Sequence, residues 1–194
     1  DICPSRGLGD VYKRQAFMLM NEIGNLKVVD ELSSATNKIA EGELMQLENK
    51  NNLDTSLQQL KRISYYKTGR LFEASAKSAA MLSNKSTSFI KNISKAAKLI
   101  GIAFQVRDDL LDYGISKGNI GKPKMQDILE DKITYPLYFA LKSSCKKDTS
   151  KILKKIKNKD FSAEEVSDFV SSSDAFNKCN SLIQSYSNEI STVS

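Results

Sequence analysis

An all-α fold is what this sequence predicts, and three observations carry the expectation. Apolar residues return every three to four positions along most of the chain, the spacing of one helix face. No alternating, β-branched run of strand length interrupts them. The breaks between periodic stretches hold helix start and stop residues, among them Asn51-Asn52, Ser86-Thr87, Gly114 and Pro136.

Residues 1–15, DICPSRGLGDVYKRQ, carry Pro, two Gly and no apolar stripe. They resemble translated sequencing-adapter text and are set aside as a non-native leader, which leaves 16–194 as the domain. The cluster Phe17, Met18, Leu19, Met20 is read as core. Val28, Leu32, Ala35, Ile39, Gly42 and Gln46 then predict one long helix over roughly 27–48. Asn51-Asn52 breaks it, and Asp54 is the expected N-cap of the next, which Leu57, Leu60, Ile63, Leu71, Ala74 and Met81 carry to about Leu82. Ser86 or Thr87 caps a third, running to about Tyr113. Gly114, Gly118, Gly121 and Pro123 mark a loop, of a length more often functional than idle. A helical turn near Asp127–Asp131 comes next, and Thr134 with Pro136 opens another helix through Leu141. Ser162-x-x-Glu165 is a capping-box match before a further amphipathic segment.

Composition narrows the chemistry. Hydrophobic residues make up 40% and charged residues 27%, an ordinary globular balance. No apolar run approaches the ~18–20 residues that span a bilayer. Histidine is absent, which removes Ser-His and Cys-His nucleophiles and His-ligated zinc from this chain. Carboxylates, lysines, hydroxyls and a hard metal ion remain. Cys3, Cys145 and Cys179 match neither a CxxC site nor a disulfide framework, so a reducing cytoplasm is the expectation. The net charge of +6 raises nucleic acid as a partner, but the Lys154–Lys159 run lacks aromatics and Arg and reads as a solvated helix face. No nucleic-acid partner is expected.

One apolar helix carries acid. In GIAFQVRDDLLDYG, Gln105, Asp108, Asp109 and Asp112 share a broad arc, with Ile102, Val106, Leu110 and Tyr113 toward the other side. Three clustered carboxylates repel each other, and a hard divalent cation would remove that penalty by taking their oxygens with water and substrate phosphate. A solvated acidic face would explain DDxxD alone. Phe104-Gln105 before it and the Gly-rich loop after it favour a site.

At these residues the chain resembles the trans-type polyprenyl diphosphate synthases, the octaprenyl-type members among them. GIAFQVRDDLLDYG followed by GKPKMQDILEDKITYPLYFAL matches the family's second aspartate-rich region. EGELMQLEN resembles its G-E-x-x-Q segment and YYKTGRLFEAS its K-T helix, in family order across 16–194. The resemblance implies an isoprenoid-synthase-type antiparallel helix bundle around a central cavity, usually a homodimer. It implies condensation of isopentenyl diphosphate with an allylic diphosphate, dependent on Mg²⁺, with at most peripheral membrane contact through the product. Carried over residue by residue, Asp108 is the direct Mg²⁺ ligand, with Asp109 and Asp112 as ligands or holders of metal-bound water. Asp127 holds metal-bound water, and Gln105 hydrogen-bonds near the allylic diphosphate. Lys67, Lys122 and Lys132 face that diphosphate, and Thr68 lies near the nascent cation. Gly42, Glu43 and Gln46 sit on a cavity-lining helix, as ligand contacts or as ordinary packing.

Met125 and Asp131 stand where the family commonly has Gly. The family's first aspartate-rich motif would precede Ala16, so the chain reads as a C-terminal portion, incomplete at both ends and with little activity alone. Three alternatives belong to other classes: a non-catalytic subunit of a heteromeric synthase, a helical nucleic-acid binder and a terpene cyclase. The retained aspartates and lysines argue against the first, and the K-T and G-K lysines favour chain elongation over cyclisation.

Overall fold

The computed structural model describes residues 4–113 and 125–193, and among them every regular element is helical. In chain order these are α1 (Pro4–Ile23), α2 (Leu26–Glu48), α3 (Leu57–Ser64), a π-helical turn (Tyr65–Gly69) and α4 (Arg70–Leu82). Beyond them come α5 (Thr87–Asp112), α6 (Gln126–Leu129), α7 (Tyr135–Ser143), α8 (Lys146–Lys157), α9 (Ala163–Ser171) and α10 (Ala175–Ser191). The expected all-α bundle is the observed one.

Local chemistry sets the helix ends. Asn25, Ser56 and Ser86 each accept a backbone N–H from the first turn of the adjoining helix, satisfying donors the helix itself leaves orphaned. The capping box closes in both directions: Glu165 N donates to Ser162 Oγ, and Ser162 N donates to Glu165 Oε2. The expected cap at Asp54 is corrected to Ser56. Asp54 lies further upstream, in a turn where its own N–H donates to Asn52 Oδ1 at 3.2 Å.

α5 is the spine. α4 and α10 pack along it, α2 packs on α4, and α7 packs against α10. Val106 and Leu110 are fully buried and join Leu60, Tyr135 and Cys179 in one core cluster. A second cluster links Tyr113 and Leu137 to Ile152 on α8 and Val166 on α9. Burying such side chains stabilises the fold by roughly 1.5–3 kcal/mol each.

Two expectations about the core fail for geometric reasons. Phe17, Met18 and Leu19 are 66%, 56% and 58% exposed rather than core. Consecutive residues on a helix point about 100° apart, so an unbroken apolar run cannot all face one neighbour. Leu71, placed on the apolar stripe of Leu60 and Ile63, is also exposed. The π-helical turn inserts one extra residue between them, which rotates everything after it by about 100°. That turn is not legible in the periodicity, which reads straight through it.

A buried ion network fixes the start of α4, just beyond the turn. Arg70 Nη1 donates to Glu31 Oε1 at 2.6 Å and lies 3.5 Å from Glu73 Oε2, while Lys77 bonds the other Glu31 oxygen. Burial disfavours the Glu31 carboxylate, but hydrogen bonds from Lys77 and Arg70 outweigh it and hold its pKa below the usual range. α2 and α4 are thereby registered on either side of the turn that carries Lys67.

Candidate active site

A cavity of about 190 Å³ is lined by Gln46 and Asn49 of α2, Lys67 of the π-helical turn, Gln105, Asp108 and Asp109 of α5, and Asp127 and Lys132 around α6. Its floor includes Leu60, Ile63, Ser64 and Tyr135. Residues far apart in sequence meet here because two glycines let backbones approach. A Cβ on Gly42 would stand 2.6 Å from Lys67 N, and one on Gly101 would stand 2.5 Å from Gly69 Cα. α2 and α5 therefore press the π-helical turn from two sides. Such turns recur at functional sites because they aim side chains out of helical register.

The aimed side chains are Lys67 and Thr68. Lys67 Nζ donates to Gln46 Oε1 at 2.7 Å and lies 3.4 Å from Glu43 Oε1. Thr68 Oγ1 donates to Gln105 Oε1 at 2.9 Å, and Gln105 Nε2 donates to Asp109 Oδ1 at 3.0 Å. This relay fixes the Gln105 amide and joins the K-T pair to the acidic helix. Of the helix expected to line the cavity, Gln46 does so, Glu43 pairs with Lys67, and Gly42 is a packing contact.

The three aspartates divide by environment, and none forms a solvated face. Asp109 and Asp112 are 6% and 5% exposed, whereas Asp108 is half-buried on the cavity wall. Asp109 Oδ2 accepts the backbone N–H of Tyr135 at 3.1 Å. Asp112 accepts Gln126 N at 3.2 Å and Asp127 N at 3.3 Å, which caps α6 and sets Asp127 and Lys132 in place. Lys132 Nζ lies 3.4 Å from Asp127 Oδ1 and 2.6 Å from Glu130 Oε2. Lys122 lies outside the described residues. Met125 and Asp131 both adopt left-handed backbone, φ 61° and 63°, which accounts for the resemblance's preference for Gly at each. Here Met125 packs into the core and Asp131 pairs with Lys159 instead.

Among the described residues no three carboxylates converge as a closed metal cluster. A Mg²⁺-type cation needs no such cage, since it keeps several waters and takes one or two carboxylates with substrate phosphate. Asp108 and Asp127, both half-buried and lining the cavity, fit that requirement.

Burial pushes the Asp109 carboxyl up to about 7; bonds from Gln105 and Tyr135 oppose the shift, and the Asp127 and Asp108 charges add to it. The folded state therefore binds the extra proton between the unfolded value near ~3.9 and that raised value. Stability contributed by this group is present at low pH and falls as pH rises through that window, by an amount on the order of a few kcal/mol. The unfolding midpoint in urea with chelator should drop between pH 5 and pH 8, and Asp109→Asn should flatten that drop. Identical pH trends for the two proteins would assign the effect to other groups.

Comparisons with known proteins agree with this architecture. Residues 7–172 match the family model described as Polyprenyl synthetase. Over 134 residues the chain is 40% identical to octaprenyl diphosphate synthase of Escherichia coli, covering 69% of this chain and 42% of that protein. The Haemophilus influenzae octaprenyl diphosphate synthase is 36% identical over 135 residues, 70% of this chain and 41% of that protein. The chain thus spans about two fifths of the length of the curated relatives it matches. Among solved structures, a Caulobacter crescentus polyprenyl synthase complexed with calcium and isoprenyl diphosphate superposes with TM-score 0.88 at 27% identity, over 95% of this chain and 57% of that one. A decaprenyl diphosphate synthase from Rhodobacter capsulatus gives TM-score 0.84 at 26% identity, over 95% and 58% of the two chains.

Proposed function

This chain belongs to the polyprenyl synthetase family, and on that premise we propose that it carries the allylic-diphosphate side of a prenyltransferase site. The reaction joins isopentenyl diphosphate to an allylic diphosphate to give a longer polyprenyl diphosphate. The observation that supports this most is the convergence of Lys67, Lys132, Gln105, Asp108 and Asp127 on one cavity in a chain without histidine.

The chemistry follows from where charge develops. When the allylic C–O bond ionises, negative charge gathers on the departing diphosphate, and preorganised cations stabilise it most where it appears. Lys67, steadied by Gln46, and Lys132, steadied by Asp127 and Glu130, would bind that group as ammonium donors. A bound Mg²⁺ would supply Lewis-acid stabilisation of the same oxygens. Asp108 and Asp127 would hold it, and the relative complexed with calcium and isoprenyl diphosphate supports a divalent ion in this fold. Asp109 and Asp112 would act by positioning, through Gln105 and Tyr135 in one case and α6 in the other. Thr68, held against Gln105, would present its oxygen dipole to the allylic carbocation.

Dimeric assembly and a cytoplasmic setting are parts of the same proposal. Among the described residues no helix is long and apolar enough to cross a membrane.

The test uses the natural protein carrying this sequence, with labelled isopentenyl diphosphate, farnesyl diphosphate and Mg²⁺. Longer, acid-labile prenyl products that vanish with chelator are expected. No product, together with no measurable binding of the allylic diphosphate, would overturn the reading.

A further inference from the structure

Asn49, the C-cap of α2, is 5% exposed and lines the cavity beside Lys67, Asp109 and Lys132. Its side-chain oxygen Oδ1 accepts three hydrogen bonds: from Thr55 Oγ1 at 2.8 Å, Gln59 Nε2 at 2.9 Å and Asn52 Nδ2 at 3.0 Å. Asn52 is itself oriented, because its own Oδ1 accepts Asp54 N at 3.2 Å. Asn52 Nδ2 is thereby fixed as a donor, and it sets the Asn49 oxygen toward itself: a flip would place donor against donor at that contact.

With the oxygen held, the Nδ2 group is fixed on the other branch of the amide plane, and it donates to none of the described residues. It is not sealed in protein either. Among the described residues the buried side-chain atoms without a partner are Ser78 Oγ, Ser94 Oγ and Tyr186 Oη; Asn49 Nδ2 is not one of them and keeps some exposure, on a residue that lines the cavity. Its two hydrogens have no protein acceptor among the described residues and are available to an oxygen that enters the cavity.

We infer that Asn49 is a substrate-binding residue that donates Nδ2–H to an oxygen of the bound diphosphate, with Thr55, Gln59 and Asn52 holding it in that pose. The inference rests on the proposed diphosphate site and adds a neutral, directional donor to it. Lys67 and Lys132 supply charge that tolerates many orientations; a pinned amide selects one. This chain reveals the role through three side-chain bonds outside the acidic motif.

The probe is inorganic pyrophosphate with Mg²⁺, titrated into ¹⁵N-labelled natural protein carrying this sequence. The Asn49 side-chain amide resonance should move with the binding isotherm, and Asn49→Asp, which keeps the anchored oxygen, should raise Kd by about tenfold or more. Should that variant fail to fold, the wild-type resonance alone decides. If pyrophosphate binds and Lys67→Ala weakens it while the Asn49 amide stays still, the inference fails and the site survives. A shift on Mg²⁺ alone, unchanged by pyrophosphate, would also overturn it, since the donor would then serve metal-bound water. If pyrophosphate does not bind, or binds regardless of Lys67→Ala, the diphosphate site falls and the inference with it.

Discussion

Replacing Asp108 with alanine in the natural protein is expected to lower prenyl-transfer turnover by at least about a hundredfold, with the melting temperature nearly unchanged. The reason lies in how the acidic helix divides its three carboxylates. Asp109 and Asp112 are buried and commit their oxygens to Gln105, Tyr135, Gln126 and Asp127. Asp108 stands half-buried on the cavity wall, where a cation or its waters can reach it. Removing it takes away transition-state stabilisation and leaves in place the packed face of α5, where Val106 and Leu110 are fully buried. Asp112→Ala provides the contrast. It strips the cap from α6 and leaves two backbone donors to find water, a loss of about 0.5–2 kcal/mol. Its melting temperature should fall measurably, and activity with it. Turnover within a few-fold of wild type for Asp108→Ala would sink the metal assignment. A melting temperature that drops as far as for Asp112→Ala would make Asp108 structural.

That division shows how far the sequence could be read. Helical periodicity and caps marked α2, α5 and the Ser162 capping box because local residues alone decide them. The acidic arc was visible from spacing, and its lysines only through the family blocks. What stayed hidden depends on contacts between distant elements. Asp109 and Asp112 look equivalent to Asp108 in sequence; only the return of Tyr135 and of α6 against α5 distinguishes them. The break between α9 and α10 at Ser172–Asp174 carries no Gly or Pro, so one amphipathic segment was expected where two helices stand. Asn49 could have been suspected from lying three residues after Gln46 on the same helix face, but its pinned oxygen could not. Met125 and Asp131 were visible as departures from glycine; their left-handed backbone supplies the reason.

The π-helical turn is the feature with most resting on it, and the second large effect is expected at the glycines that shape it. A Cβ at Gly42 would meet Lys67 N at 2.6 Å and Tyr66 Cβ at 2.9 Å; one at Gly101 would meet Gly69 Cα at 2.5 Å. These are backbone or branch atoms with no flexible end to swing away, so the turn or a helix must retreat by about 1 Å, a displacement that can cost about a hundredfold in rate. Overpacking of this kind costs about 1–3 kcal/mol, which for a chain of this size lowers the melting temperature by roughly 2–10 °C. Gly42→Ala and Gly101→Ala should therefore lose both stability and diphosphate affinity, because Lys67 and Thr68 move with the turn. If Gly42→Ala melted and bound pyrophosphate like the wild type, close approach of α2 would not be what aims Lys67. The aim would then have to come from the Glu31–Arg70 network just beyond the turn, and Glu31→Gln would become the variant that displaces it.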